Sequence, residues 1–196
     1  DLFNYLSKVE KFPINLILAS GLAISKDNSD KIYDRFRNRL IVPIHDMQGR
    51  VVAFGGRSLD GQEPKYLNSP ESEIFEKGRM LFAFEKASSN IRKRDKAIIV
   101  EGYFDVISLH SKGITNSVAS LGTALNKYQI SQLCRCTDNK NIILNFDSDN
   151  AGTLATKRVI KEVETLSLHD QINLKILQLS HFKDHEENLN SQTPEK

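Results

Sequence analysis

The feature that most constrains this chain is a change of rhythm at Lys96. Beyond it, four short apolar runs at 97–100, 117–120, 141–146 and 172–177 alternate with helically spaced stretches at 105–111, 126–136 and 151–165. Runs too short for buried helices, separated by stretches long enough for a crossover, predict parallel strands covered by helices on both faces. The expected fold class is therefore α/β.

Two of these strands end in acid. The first reads Ile98-Ile99-Val100-Glu101-Gly102-Tyr103-Phe104-Asp105, and the third reads Leu144-Asn145-Phe146-Asp147-Ser148-Asp149-Asn150-Ala151-Gly152. In open parallel sheets ligands bind beyond the carboxyl ends of the strands, so Glu101 and Asp147 are expected to converge. Asp149, two residues on in an extended turn, joins Asp147 on the same side. Carboxylates gathered in one cleft repel unless a cation sits among them, and a hard divalent ion such as Mg²⁺ or Mn²⁺ suits oxygen ligands. Each acid alone has a plainer reading. Asp149 fits the N-cap of the following helix, and Glu101 fits a turn residue at a strand end.

Upstream, residues 1–24 carry apolar positions at helical spacing, read as two short helices with Pro13 opening the second and an end near Gly21. Residues 25–29 read as loop. Residues 40–44 and 51–56, joined by the turn Asp46-Met47-Gln48-Gly49-Arg50, predict a β-hairpin. Residues 59–70 read as loop and about 84–93 as helix. A boundary is placed near residue 94.

The net charge of +2 hides segregation. Residues 31–57 hold Lys31, Arg35, Arg37, Arg39, Arg50 and Arg57 against two Asp, and residues 76–96 are similarly basic. Clustered cations in a nearly neutral chain suit a phosphate-bearing partner, or else a solvated charged surface. No stretch approaches the roughly 20 apolar residues of a membrane span, and no signal peptide is visible at the start. Cys134 and Cys136 alone cannot supply four zinc ligands and are poorly spaced for a disulfide, which fits a reducing cytoplasm and no zinc here.

The joint pattern resembles the Toprim domain, shared by DnaG-type primases, type IA and II topoisomerases, OLD-family nucleases and RecR proteins. The motifs are Val100-Glu101-Gly102-Tyr103-Phe104-Asp105, Ala119-Ser120-Leu121-Gly122-Thr123-Ala124-Leu125 and Phe146-Asp147-Ser148-Asp149-Asn150-Ala151-Gly152. The resemblance implies metal ligation by Asp147 and Asp149, with Glu101 as acid/base or further metal residue and Asp105 helping to hold the site or capping its helix. A later acidic stretch, Lys183-Asp184-His185-Glu186-Glu187, departs from the usual Lys-Asp-Pro-Asp-Glu. Asp184 is the further ligand candidate there, Glu186 a weaker one, and His185 reads as exposed.

Residues 33–82 separate the members of this set. Tyr33-Asp34-Arg35-Phe36-Arg37-Asn38-Arg39-Leu40-Ile41-Val42-Pro43-Ile44, Gly49-Arg50-Val51-Val52-Ala53-Phe54-Gly55-Gly56-Arg57, Pro64-Lys65-Tyr66-Leu67-Asn68-Ser69-Pro70-Glu71 and Ile74-Phe75-Glu76-Lys77-Gly78-Arg79 are similar to the bacterial DnaG-type primase core just before Toprim. On a strand, Arg35, Arg37 and Arg39 would share a face roughly 6–7 Å apart, near the spacing of successive phosphates. The row suits backbone contact, its alternative being a charged edge strand that blocks aggregation. The resemblance implies nucleotide or template contact by Arg35, Arg37, Arg39, Lys65, Tyr66, Asn68 and Lys77, against loop solvation or simple packing. Gly55 and Gly56 fit either close backbone approach to a phosphate or a bulge.

The resemblance thus implies synthesis of short RNA primers from NTPs on single-stranded DNA, dependent on Mg²⁺ or Mn²⁺, in the cytoplasm at the replication fork. Three segments are expected: 1–94, a basic mixed α/β part of the primase core; 95–187, Toprim; and 188–196, the start of a helical region. A chain opening without Met inside a helical pattern is expected to be a piece of a longer protein. It would lack the family's zinc-binding domain and the region that docks the replicative helicase, and make little or no primer alone. Two rival readings stay open, a nuclease-like Toprim enzyme and a non-catalytic nucleic-acid-binding module.

Overall fold

The computed structural model describes residues 1–25, 31–122, 124–147, 150–167 and 172–177. It divides into two compact units, one of residues 1–44 and 50–76, the other of 45–49 and 77–196. This division falls earlier than the expected boundary near 94, because the helix before that point belongs to the second unit. Among the described residues, no helix is long and apolar enough to cross a membrane.

The first unit begins with α1 (Leu2–Asn4), running into a π-helical turn (Tyr5–Val9), and α2 (Ile14–Ala19). Pro13 is the residue before α2, extended at φ −57° and ψ 138°. The Asp34 carboxylate accepts the backbone amides of Leu2 and Phe3 at 2.8 and 2.7 Å, satisfying donors that the first helical turn leaves bare. Gly21 follows with φ +70°, and a Cβ there would lie 2.6 Å from Pro70 Cγ, so both conformation and space require glycine.

Strands β1 (Ala23–Ser25) and β2 (Ile32–Asp34) pair antiparallel. The expected hairpin forms from β3 (Arg39–His45) and β4 (Val51–Ser58), and β5 (Tyr66–Asn68) completes a three-stranded sheet ordered β3-β4-β5. The segment read as loop thus supplies a strand. Tyr66-Leu67-Asn68 pairs antiparallel with Gly55-Gly56-Arg57, and the partner rather than local periodicity makes it extended. Gly56 lies in regular ladder, not a bulge. A Cβ there would sit 2.9 Å from the Phe36 ring and 3.1 Å from Arg39 Cδ, so close side-chain packing requires the glycine.

In the second unit, a 3₁₀ turn (Lys77–Arg79) leads to α3 (Phe84–Arg94), then β6 (Ala97–Val100), α4 (Tyr103–Ser111), β7 (Ser117–Ala119), α5 (Lys127–Cys134), β8 (Asn141–Leu144), α6 (Asn150–Ser167) and β9 (Asn173–Ile176). The α/β expectation holds, with bounds shifted by a few residues. All pairings are parallel, in the order β7-β6-β8-β9. The chain moves one way from β6 to β7 and the other way to β8 and β9. Right-handed crossovers therefore put α4 on one face and α5 and α6 on the other. The core agrees: Ala97, Ile99, Val118, Ile142 and Leu144 cluster with residues of α3, α5 and α6, while the alternate, fully buried Val100 lies outside that cluster.

Candidate functional site

Strand order locates the site. The connection leaving β6 crosses to one face and the connection leaving β8 to the other, so these neighbours flank the topological switch of the sheet. The crevice at a switch point, beyond the carboxyl ends, is where parallel sheets bind ligands. Glu101 follows β6 directly, and Asp147 ends the extension of β8. Asn145 N still bonds Ile99 O at 2.8 Å, carrying the pairing to the crevice. The Asp147 amide donates to Glu101 Oε1 at 3.2 Å, so two acids distant in sequence meet as expected.

Gly152 closes the arrangement. A Cβ on it would run into the Asp147 carbonyl and lie 2.6 Å from Glu101 Oε1, so only glycine lets the first turn of α6 come this near both acids. Asp105 lies at the start of α4. Its Oδ2 accepts the Gly102 amide at 2.9 Å, fixing the start of α4 immediately after Glu101. Asp149, Asp184, His185 and Glu186 lie outside the described residues, as does any reading of Asp149 as a cap. Among the described residues, no group of three or more His, Cys, Asp or Glu side chains is arranged for a metal ion. What meets is the Glu101 carboxylate and the Asp147 main chain, with Gly152 close to both, and the hard oxygen side chains of these two residues are of the kind a divalent cation takes.

The arginines of the first unit depart from the expected row. β2 stops at Asp34, and Asn38 at φ +49° turns the chain before Arg39 opens β3, so the three never alternate along one strand. Each guanidinium instead binds main-chain carbonyls. Arg35 donates from Nε and Nη2 to Asn68 O at 3.3 and 3.0 Å, and burial lowers its pKa. Arg37 donates to Asp34 O at 2.9 Å and lies over the Tyr33 ring; Arg39 donates to Pro64 O at 2.7 Å. Lys65 and Arg57 lie 5.6 and 5.9 Å from the centre of the Tyr66 ring. Arg35 with Asn68, and Arg39 beside Lys65, are thus gathered around β5, through pairing rather than through a strand period.

Lys77 belongs to the second unit, in the turn held by the start of α5. Asn126 Nδ2 donates to Gly78 O at 2.8 Å, and Gln129 Nε2 donates to Lys77 O and Met80 O at 3.3 and 2.7 Å. The sequence reading singled out neither Asn126 nor Gln129. Their signal was there, because Asn-x-x-Gln ahead of an apolar helix matches a capping box.

Comparison with known proteins accords with this architecture. Residues 1–88 match the family model of the DNA primase catalytic core, N-terminal domain, and residues 98–189 match Toprim-like. The DNA primase of Synechococcus elongatus is 52% identical over 96% of this chain, and that of a Synechocystis species 46% identical over 100%. The chain spans 27% and 31% of those relatives. A DnaG primase catalytic domain solved bound to ssDNA superimposes with a TM-score of 0.84 at 36% identity, covering 98% of this chain and 59% of that one. The Escherichia coli primase catalytic core gives 0.84 at 36% identity, over 95% and 59%. The fold and its acid-bearing switch point define a Toprim-type domain preceded by a primase-core segment. The chain belongs to the bacterial DnaG-type DNA primase family and carries part of its catalytic core.

Proposed function

We propose that this chain carries the nucleotidyl-transfer site of a primase that makes short RNA primers from NTPs on a single-stranded DNA template, in the cytoplasm at the replication fork. The observation that carries this reading is the meeting of Glu101 and Asp147 at the switch between β6 and β8, with Gly152 holding α6 against both. A bound Mg²⁺ or Mn²⁺, held by Asp147, Asp149, Asp184 and Glu101, would supply positive charge to the triphosphate oxygens. Glu101 is oriented by the Asp147 amide and is suited to ligation or to accepting the 3′-hydroxyl proton. As that oxygen bonds to the α-phosphorus, the bond to the β-phosphate side breaks and pyrophosphate leaves.

Lys65 and Lys77 supply ammonium groups for triphosphate or template phosphates, and Tyr66 and Asn68 accompany Lys65 at β5. Arg35, Arg37 and Arg39 contact backbone phosphates with the donors not engaged by carbonyls, and they also brace the loops they bind. The solved relative bound to ssDNA supports a single-stranded template as partner. The replicative helicase is a further proposed partner of the whole primase. The domain limits consistent with this reading are 1–94, 95–187 and 188–196.

The test is calorimetric titration of Mn²⁺ with ATP into the wild type and an Asp147→Ala/Asp149→Ala variant that keeps its thermal transition. Binding that disappears in the variant supports the site. Equal binding in both makes the acids structural and favours a non-catalytic binding module.

A further inference from the structure

The two amide side chains at the start of α5 do more than begin a helix. Asn126 Oδ1 accepts the amides of Tyr128 and Gln129 at 3.0 and 3.2 Å, and Gln129 Oε1 accepts the Asn126 amide at 3.1 Å. Those acceptor bonds complete the capping box, and Asp with Glu would make them equally well. The donor halves are surplus to capping. They reach about 50 residues back along the chain, to the carbonyls of Lys77, Gly78 and Met80. Gln129 makes these bonds while wholly buried, at 0% exposure. In such surroundings each donor needs a partner, so the geometry is enforced. Gly78 fits the same purpose, since a Cβ there would sit 3.3 Å from Asn126 Nδ2. Arg79, one residue on, stacks on Tyr128 of α5 with its guanidinium carbon 4.9 Å from the ring centre.

Topology gives this clamp its meaning. α5 follows β7 in a parallel sheet, so its N-terminus lies at the carboxyl edge, the edge that bears Glu101 and Asp147. The clamped segment stays on that edge, for Phe82 N bonds Ala119 O at the last residue of β7 at 2.8 Å. Two cations, Lys77 and Arg79, are thereby fixed by their backbone and by stacking on the acid-bearing edge. That is the arrangement a polyphosphate with its metal ion requires, with cations for the phosphates and acids for the metal.

We propose that Asn126 and Gln129 are positioning residues for nucleotide binding, setting Lys77 against the triphosphate through main-chain carbonyls. This rests on the assignment of Lys77 to the nucleotide, made above. Asn126→Asp tests it directly, because it keeps every capping acceptor and deletes only the donor to Gly78. Asn126→Ser caps with a hydroxyl too short for Gly78 and adds no charge, so it separates lost positioning from added repulsion. Both are compared with Lys77→Ala and the Asn126→Ser/Lys77→Ala pair, reading ATP affinity by calorimetry in Mn²⁺ and the thermal midpoint.

The expected result is ATP binding weakened about three- to tenfold by each Asn126 variant, from loss of one part-buried hydrogen bond. The midpoint should move little, since Asp and Ser cap about as well as Asn. The pair should bind no more weakly than Lys77→Ala alone, because the clamp acts through Lys77. Wild-type ATP affinity in both Asn126 variants, with Lys77→Ala weakened, overturns the positioning role and leaves the nucleotide assignment standing. Losses that simply multiply in the pair overturn it as well. Unchanged affinity in Lys77→Ala overturns the assignment of Lys77 itself.

Discussion

The two ends of the parallel sheet are built from the same polar residue types and use them in opposite ways. At the amino end, just before β6, Asp95 Oδ1 accepts the amides of Asp138 and Asn139, and its Oδ2 accepts Nδ2 of Asn139 and Asn141. Asn116 Nδ2 donates to Lys96 O and Asn173 Nδ2 to Asn141 Oδ1, so the starts of all four strands of this sheet are laced together. At the carboxyl end, two acidic residues of neighbouring strands are brought together, the Asp147 amide bonding the Glu101 carboxylate, and a glycine packs close against both. Four donors surround the Asp95 carboxylate inside the protein, whereas at the other end an acid from each of two neighbouring strands is placed at the crevice where parallel sheets bind ligands. One end stabilises the sheet and the other exposes its chemistry.

Substitutions that separate stability from ligand binding test this contrast. The largest effect is expected for Asp147→Asn, with Mn²⁺ affinity falling by about two orders of magnitude while the thermal midpoint changes little, since the side chain keeps its size and the amide that bonds Glu101 is main chain. Unchanged Mn²⁺ affinity in a calorimetric titration would falsify the functional half of the contrast. Gly152→Ala joins both properties at one atom. It should cost about 1–3 kcal/mol by denaturant unfolding, because the new methyl meets the Asp147 carbonyl, and weaken Mn²⁺ binding as Glu101 is displaced. Asn116→Ala should behave in the reverse sense to Asp147→Asn. It leaves Lys96 O without its donor, for about 1–2 kcal/mol of stability, with Mn²⁺ affinity unchanged. A loss of metal binding there would erase the distinction between the ends.

The smallest effect concerns pH. Hydrogen bonds, first from the Asn139 side chain and then from backbone amides, hold the Asp95 carboxyl below its ordinary range, outweighing the opposing pull of desolvation. A lowered folded pKa means the unfolded chain binds the proton first as pH falls. The contribution is therefore complete above the unfolded value of about 4 and fades as pH drops through the lower folded value. Asp95→Asn should leave stability at pH 7 to 5 nearly independent of pH and flatten the acid limb of the thermal midpoint below about pH 4. An acid limb as steep as the wild type's assigns that sensitivity to other carboxyls.

The contrast also marks what could be read from the chain alone. Glu101 and Asp147 were legible because each ends a run of apolar residues too short for a helix, and parallel pairing puts such ends on one edge. The role of Asp95 has no local signal, since its four donors come from residues more than 40 positions away. The arginine row failed for a local reason. Arg35 to Arg39 alternates as a strand does, yet the left-handed turn at Asn38 breaks it, and the guanidinium groups go to carbonyls of β5 and its loop. β5 itself was missed because a three-residue strand in a polar stretch has no period to detect and exists only against the edge of β4.

The sequence by itself determined the α/β class, the short strands of the sheet and their acid ends, all of which follow from local periodicity and residue type. Only the tertiary structure decided the order β7-β6-β8-β9, which sets the crevice between Glu101 and Asp147. It likewise decided that two amides of α5 grip the turn at Lys77. Strand order and long-range hydrogen bonds are chosen by the burial of the whole core, so no window of sequence contains them.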